Sequence, residues 1–127
     1  MTKSDLDADF ETLAQLRAGA LIVTADGLFA DRMDQIVALA RRYSVPTMFQ
    51  FREFAVSGGL ISYGPGFGES YRQAGILAGR ILKGEKPSDL PVVQPTKFEL
   101  VINMKTAKAL GIQVPISMQM LADEVIE

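Results

Sequence analysis

The 127-residue chain is 48% hydrophobic and 22% charged, the balance of a packed domain, and its 13 basic and 15 acidic residues give a net charge of -2 at pH 7. Interspersed, near-neutral charge gives no electrostatic footprint for nucleic acid or an anionic membrane surface, and no run approaches the ~18 apolar residues that span a bilayer. With no cysteine and no histidine, disulfide frameworks, thiolate nucleophiles, imidazole bases and nearly all zinc or haem sites are excluded, and Ser/His or Cys/His hydrolases with them.

The opening Met-Thr-Lys-Ser-Asp-Leu-Asp lacks the apolar centre of a signal peptide. Ser4-x-x-Asp7 with Leu6, Phe10, Leu13 and Ala14 predicts a capped amphipathic helix ending near Ala18-Gly19. Ala20 to Val23 is a short apolar run, which predicts a strand covered on both faces. A second helix is expected from about Ala30 to Tyr43, with Met33, Ile36, Val37, Ala40 and Tyr43 on one face, followed by a strand from Pro46 to Phe51. Helix, strand, helix and strand joined by short connections make an α/β pattern with a parallel sheet and right-handed crossover.

From Arg52 to Phe67 the pattern breaks at Gly58-Gly59, Gly64-Pro65 and Gly66 around a short strand, Leu60 to Tyr63. A third helix from about Glu69 to Lys83 aligns Tyr71, Ala74, Ala78, Ile81 and Leu82, and Lys83 to Pro91 reads as a surface loop. Phe98, Leu100 and Ile102 alternate with polar Lys97, Glu99 and Asn103, the period of a half-buried strand. Asn103 is placed to cap a short helix carrying Ala107, Ala109 and Leu110, and Gly111 to close it in the left-handed conformation. The tail after Gly111 has the pattern of one more short helix.

Asp26 follows the first strand directly, at the carboxyl end where α/β sheets bind ligands, and a carboxylate there accepts hydrogen bonds from an ammonium group or hydroxyls. Asp26-Gly27 is equally a turn or helix-cap signal. Phe49, Phe51, Arg52, Glu53, Phe54, Tyr63 and Phe67 cluster around the next strand end. Rings there can sandwich a planar solute while Arg52 and Glu53 pair with a carboxylate and an amine, although core packing accounts for at least two of the rings. Gly64-Pro65-Gly66-Phe67-Gly68 lacks both the Lys-Ser/Thr of a phosphate-binding loop and dinucleotide-site spacing, so a turn explains it better. Asp31 and Asp34 read as first-turn helix residues rather than metal ligands, and no cofactor or metal is expected.

Several segments together carry a family resemblance: Ala20-Leu-Ile-Val with Asp26-Gly-Leu-Phe, Gln35-Ile-Val-Ala-Leu-Ala, Arg52-Glu-Phe, Gly58-Gly-Leu-Ile-Ser-Tyr-Gly64, Tyr71-Arg-Gln-Ala-Gly75, Gly79-Arg-Ile-Leu-Lys-Gly84 and the run from Pro95 to Gly111. From about Asp5 to the last residue the chain resembles the C-terminal part of the ABC-transporter substrate-binding proteins whose better-known members bind tryptophan. That resemblance implies an α/β, three-layer, mostly parallel lobe of the type I periplasmic-binding-protein kind, incomplete here, with residues 64–95 crossing toward an N-terminal lobe. It implies a non-enzymatic role: a small organic or amino-acid-like solute held between two lobes by Asp26, Phe51, Arg52, Glu53, Ser62 and Tyr63, delivery to an ABC permease, and a periplasmic location. Gly27 stands where the family is expected to carry Pro, which implies a looser loop beside Asp26. A third helix without its native cover implies a homo-oligomer. Two other readings stay open: a stand-alone flavodoxin-like nucleotide-binding or enzymatic domain, and an oligomerisation module that has lost transport.

Overall fold

The computed structural model describes residues 3–127, with side chains from Asp5 onward, so the predicted Ser4 cap lies outside the described side chains. Helix α1 (Lys3–Gln15) buries Leu6 and Phe10, one face of the predicted amphipathic pattern. It ends three residues before the expected stop because Arg17 adopts a left-handed φ of 53°, and the Ala18 N–H then donates to the Leu13 carbonyl at 3.1 Å.

Strand β1 (Leu21–Val23) leads through Asp26 into the short helix α2 (Gly27–Asp31), and α3 (Met33–Arg42) follows. The α3 periodicity is realised: Ile36, Val37, Leu39 and Ala40 are buried, and Ser44, at φ 52°, turns the chain toward β2 (Thr47–Phe49). Strand β1 is not covered on both faces. Val23 is buried, but Ile22 is 70% exposed, because β1 lies at the sheet edge and alternate side chains point to opposite faces.

After β2 comes α4 (Arg52–Val56), a five-residue helix in the stretch expected to be irregular, and then β3 (Ile61–Pro65). Helix α4 buries Phe54 and Ala55. Gly59 leaves room for the Phe49 ring, since a Cβ at that position would lie 2.6 Å from Phe49 Cε2. Helix α5 (Phe67–Leu82) buries none of its residues. A 3-10 turn (Pro87–Asp89) and an exposed segment lead back to β4 (Phe98–Asn103), helix α6 (Met104–Ala109), helix α7 (Ile116–Leu121) and β5 (Glu124–Ile126). Asn103 caps α6 as expected and Gly111 has φ 69°.

The strands form one sheet in the order β1-β2-β3-β4-β5. Strands β1, β2 and β3 are parallel, β4 is antiparallel to β3, and β5 is parallel to β4. The sheet is mostly parallel and α/β as expected, but the order differs from the 2-1-3-4-5 of a flavodoxin-like fold. The main core lies on one face, where Val23 and Phe49 meet Leu6 and Phe10 from α1, Ile36, Val37, Leu39 and Ala40 from α3, and Phe54 from α4. In β4 the expected half-buried alternation gives way to Val101, Ile102 and Asn103 buried in succession, because a central strand is covered on both faces there.

Candidate functional site

Because β4 and β5 run against β1, β2 and β3, the carboxyl ends of the first three strands and the amino ends of the last two share one sheet end. Asp26, Phe51, Arg52, Glu53, Phe67 and Glu124 all follow or begin these ends. Hydrogen-bonding groups and rings converge there because the backbone leaves the sheet and its side chains no longer have to fill a core.

Asp26 is exposed and extended, with φ -151° and ψ 140°, and its Oδ1 accepts from the Leu28 N–H at 2.8 Å. It is therefore the N-cap of α2, and one carboxylate oxygen is already engaged. The other oxygen makes no protein hydrogen bond among the described residues. One residue earlier, the Ala25 N–H donates to Gln50 Oε1 at 3.0 Å, which joins the loop after β1 to the end of β2.

Phe51 is the N-cap residue of α4 and is half-buried against the main core. Its ring stacks on Phe67 with centroids 3.9 Å apart and planes 20° apart, and Phe67 in turn lies 6.1 Å from Tyr71. Phe49 and Phe54 are not part of this accessible group: they are 1% and 3% exposed and stack on each other at 4.7 Å inside the core.

Arg52 is engaged by a residue that sequence patterning missed. Its Nε and Nη2 both donate to Glu124 Oε2, at 2.8 and 2.6 Å, so the pair spans from the first turn of α4 to the start of β5. The two side chains are 42% and 39% exposed, and a pair that open to solvent contributes only ~0.2–1 kcal/mol. Glu53, half-buried in the same first turn, complements the positive end of the short helix.

Ser62 and Tyr63 separate rather than cooperate. Ser62 is 1% exposed, paired across the sheet with Phe49 and Val101, and its hydroxyl has no hydrogen-bond partner among the described residues. Tyr63 points to the other face, is 50% exposed and stacks at 5.7 Å on Phe98. Ser62 is thus enclosed in the core layer, and of the two only Tyr63 is open to solvent. The structure gathers Asp26, Phe51, Arg52 and Glu53 at the sheet end, whereas Ser62 lies within the sheet.

The Gly64 to Gly68 stretch carries β3 into α5 with Gly66 extended at the helix start. The next helical turn holds a compact polar cluster. Arg72 donates to both carboxylate oxygens of Glu69 at 2.8 and 2.9 Å, and Gln73 Nε2 donates to Oε1 at 2.9 Å. These bonds, the one from Arg72 first, favour the ionised form and hold Glu69 down at about 2.

The family model for ABC transporter substrate binding proteins matches residues 4–126. The chain is 28% identical over 112 residues to a tyrosine-binding protein of Clostridioides difficile (strain R20291), covering 88% of this chain and 32% of that protein. It superposes with a TM-score of 0.88 on an ABC domain from Streptococcus pneumonia solved in complex with L-Trp, at 26% identity, over 98% of this chain and 42% of that one. A conserved domain protein from Vibrio cholerae O1 biovar eltor str. N16961 shares the fold with the same TM-score at 21% identity, again covering 98% of this chain and 42% of that one. The chain therefore spans less than half the length of these relatives. Matched over nearly all of its residues, and with the mostly parallel α/β architecture of those structures, the chain belongs to the ABC transporter substrate-binding protein family.

Proposed function

We propose that this chain forms one wall of a solute-binding cleft, that the solute is a small amino acid with an aromatic side chain, and that the whole protein serves an ABC importer outside the cytoplasm, without catalysis. The observation that carries this reading is the convergence, at one sheet end, of an exposed carboxylate, Asp26, an aromatic stack, Phe51 on Phe67, and a guanidinium, Arg52. Asp26 offers its free oxygen to a solute ammonium group, the rings offer a planar surface, and Arg52 offers a partner for a carboxylate. Arg52 is paired with Glu124, but that pair is weak enough for a solute carboxylate to compete for the guanidinium. Glu53 follows Arg52 in the same helical turn and Tyr63 is an exposed residue of β3, so both are included in the proposed site, whereas Ser62 is enclosed in the sheet and does not itself meet the solute. The relatives that bind L-Trp and tyrosine support this solute class.

Residues 64–95 form an arm toward a second lobe in this reading, which accounts for a 16-residue helix, α5, with no buried residue. Tyr71, Ile76, Ile81 and Leu82 are 73%, 44%, 41% and 88% exposed along it. That apolar exposure favours a second property, self-association of the isolated chain, because uncovered apolar faces drive association.

Titration with L-tryptophan, followed by amide shifts, tests the site. One wall alone should bind weakly, with Kd near ~1 mM, or about -4 kcal/mol. Shifts should concentrate at 25–28, 51–53 and 63. Asp26→Ala, which removes a charge-assisted hydrogen bond of ~1.5–3 kcal/mol, should weaken binding by roughly one to two orders of magnitude. Shifts confined to other surfaces, or unchanged affinity in Asp26→Ala, would overturn the assignment.

A further inference from the structure

Strand β1 has three residues and lies at the sheet edge, and the loop after it runs into Gly27, the residue least able to restrain its own backbone. Asp26 therefore needs support from outside its own segment if its carboxylate is to hold a fixed direction. Its bond to the Leu28 N–H orients the side chain relative to α2 but does not tie the loop to the sheet. The tie comes from Gln50. An N–H can be accepted only by the oxygen of the Gln50 amide, so the 3.0 Å contact from Ala25 fixes which way that amide faces.

Gln50 is itself held from the far side. A Cβ on Gly64 would lie 2.8 Å from Gln50 Cγ and closer still to the Gln50 carbonyl oxygen, so the end of β2 approaches β3 more closely than any other residue at position 64 permits. Gly64 is needed here for this close approach, since its φ is not positive. Gly64 on β3, Gln50 after β2, Ala25 after β1 and finally Asp26 form one chain of contacts across three parallel strands.

We infer that Gln50 is the positioning residue of this site: its side-chain oxygen holds the loop after β1 so that Asp26 meets the solute already oriented. The inference rests on the reading of Asp26 as a solute contact. Fixing the backbone of a loop residue costs conformational entropy, and a loop fixed before binding spares the solute that cost. Gln50 acts through Ala25 and Asp26 and need not touch the solute.

The test compares Gln50→Met, which keeps length and loses the acceptor, with Gln50→Glu, which keeps an acceptor. Hydrogen exchange of the Ala25 amide is read first, with the Val101 and Ile102 amides as controls. Loss of one net hydrogen bond should speed Ala25 exchange roughly three- to tenfold in Gln50→Met, with Gln50→Glu near the parent and the controls unmoved. L-Tryptophan affinity should fall by a similar factor in Gln50→Met, and Asp26→Ala/Gln50→Met should bind no worse than Asp26→Ala alone. Ala25 exchange unchanged in Gln50→Met, equal loss in both variants, or acceleration of the controls to the same degree would overturn the inference. So would a double variant whose losses simply add. If Asp26→Ala leaves tryptophan affinity unchanged, the proposed function fails by itself, and the exchange arm still decides whether Gln50 holds the loop.

Discussion

Replacing Asn103 by alanine removes two interactions at once, at the point where β4, α4 and α6 meet. Asn103 is 5% exposed; its Oδ1 accepts from the Thr106 N–H at 3.2 Å, and its Nδ2 donates to the Ala55 carbonyl at 2.9 Å. Loss of an N-cap costs ~1 kcal/mol within a range of ~0.5–2. The Ala55 carbonyl keeps the Gly58 N–H at 3.2 Å, so losing Asn103 costs it a net hydrogen bond of ~0.5–1.5 kcal/mol rather than the full penalty of an orphaned acceptor. Together these give about 2 kcal/mol, a large fraction of the ~5–15 kcal/mol that stabilises a typical domain. At ~2.1 cal/mol/K per residue, the 127 residues have an unfolding entropy that converts this loss into a melting shift of about 7 °C. Urea unfolding should show the midpoint falling with an unchanged slope. Asn103→Ser keeps a cap oxygen but is too short to reach Ala55, and it should recover roughly the capping half of the loss. An alanine variant within ~0.5 kcal/mol of the parent, or a serine variant as damaged as alanine, would refute the idea that this side chain joins the three elements.

Glu124→Gln should lower stability by less than ~1 kcal/mol, because the Arg52 pair is open to solvent; a urea series showing a loss beyond ~2 would mean the pair is far less screened than its exposure indicates. The Glu69 carboxyl, held at about 2 against a usual 4.5, contributes stability that is fully present above 4.5 and lost as the pH falls through about 2. A carboxyl-carbon NMR titration should place its midpoint near 2 in the parent and clearly higher in Arg72→Ala, still short of the usual 4.5 because Gln73 keeps its hydrogen bond, and a normal midpoint in the parent contradicts the hydrogen-bonded cluster. Sedimentation at micromolar concentration should show a dimer or larger species, shifted toward monomer by Ile76→Asp with Leu82→Asp, and a parent that sediments as a clean monomer removes the self-association reading.

Much of the fold was legible because its signals are local. The apolar spacing of α3 buries Ile36, Val37 and Ala40 as read, Asn103 caps the helix that follows it, and Gly111 takes the positive φ expected of a helix end. Asp26 was placed at a strand end from the apolar run before it, and it lies there, exposed. Helix α4 and strand β5, at five and three residues, are too short for periodicity to register, and their form comes from the surfaces they meet: Phe54 and Ala55 against the sheet, and Glu124 to Ile126 along β4.

The sequence by itself therefore determined the elements whose hydrogen bonds and apolar stripes close within a few residues, together with the chemistry available at their ends: carboxylates, rings and a guanidinium, with no thiol or imidazole. Only the tertiary structure decided which of those groups meet. Arg52 and Glu124 are 72 positions apart, and Ala25 and Gln50 are 25 apart. Neither pairing follows from spacing, because each depends on strand order and register. Register also turns Ser62 inward and Tyr63 outward, since neighbours on a strand face opposite sides and the sheet's position alone chooses which side is the core.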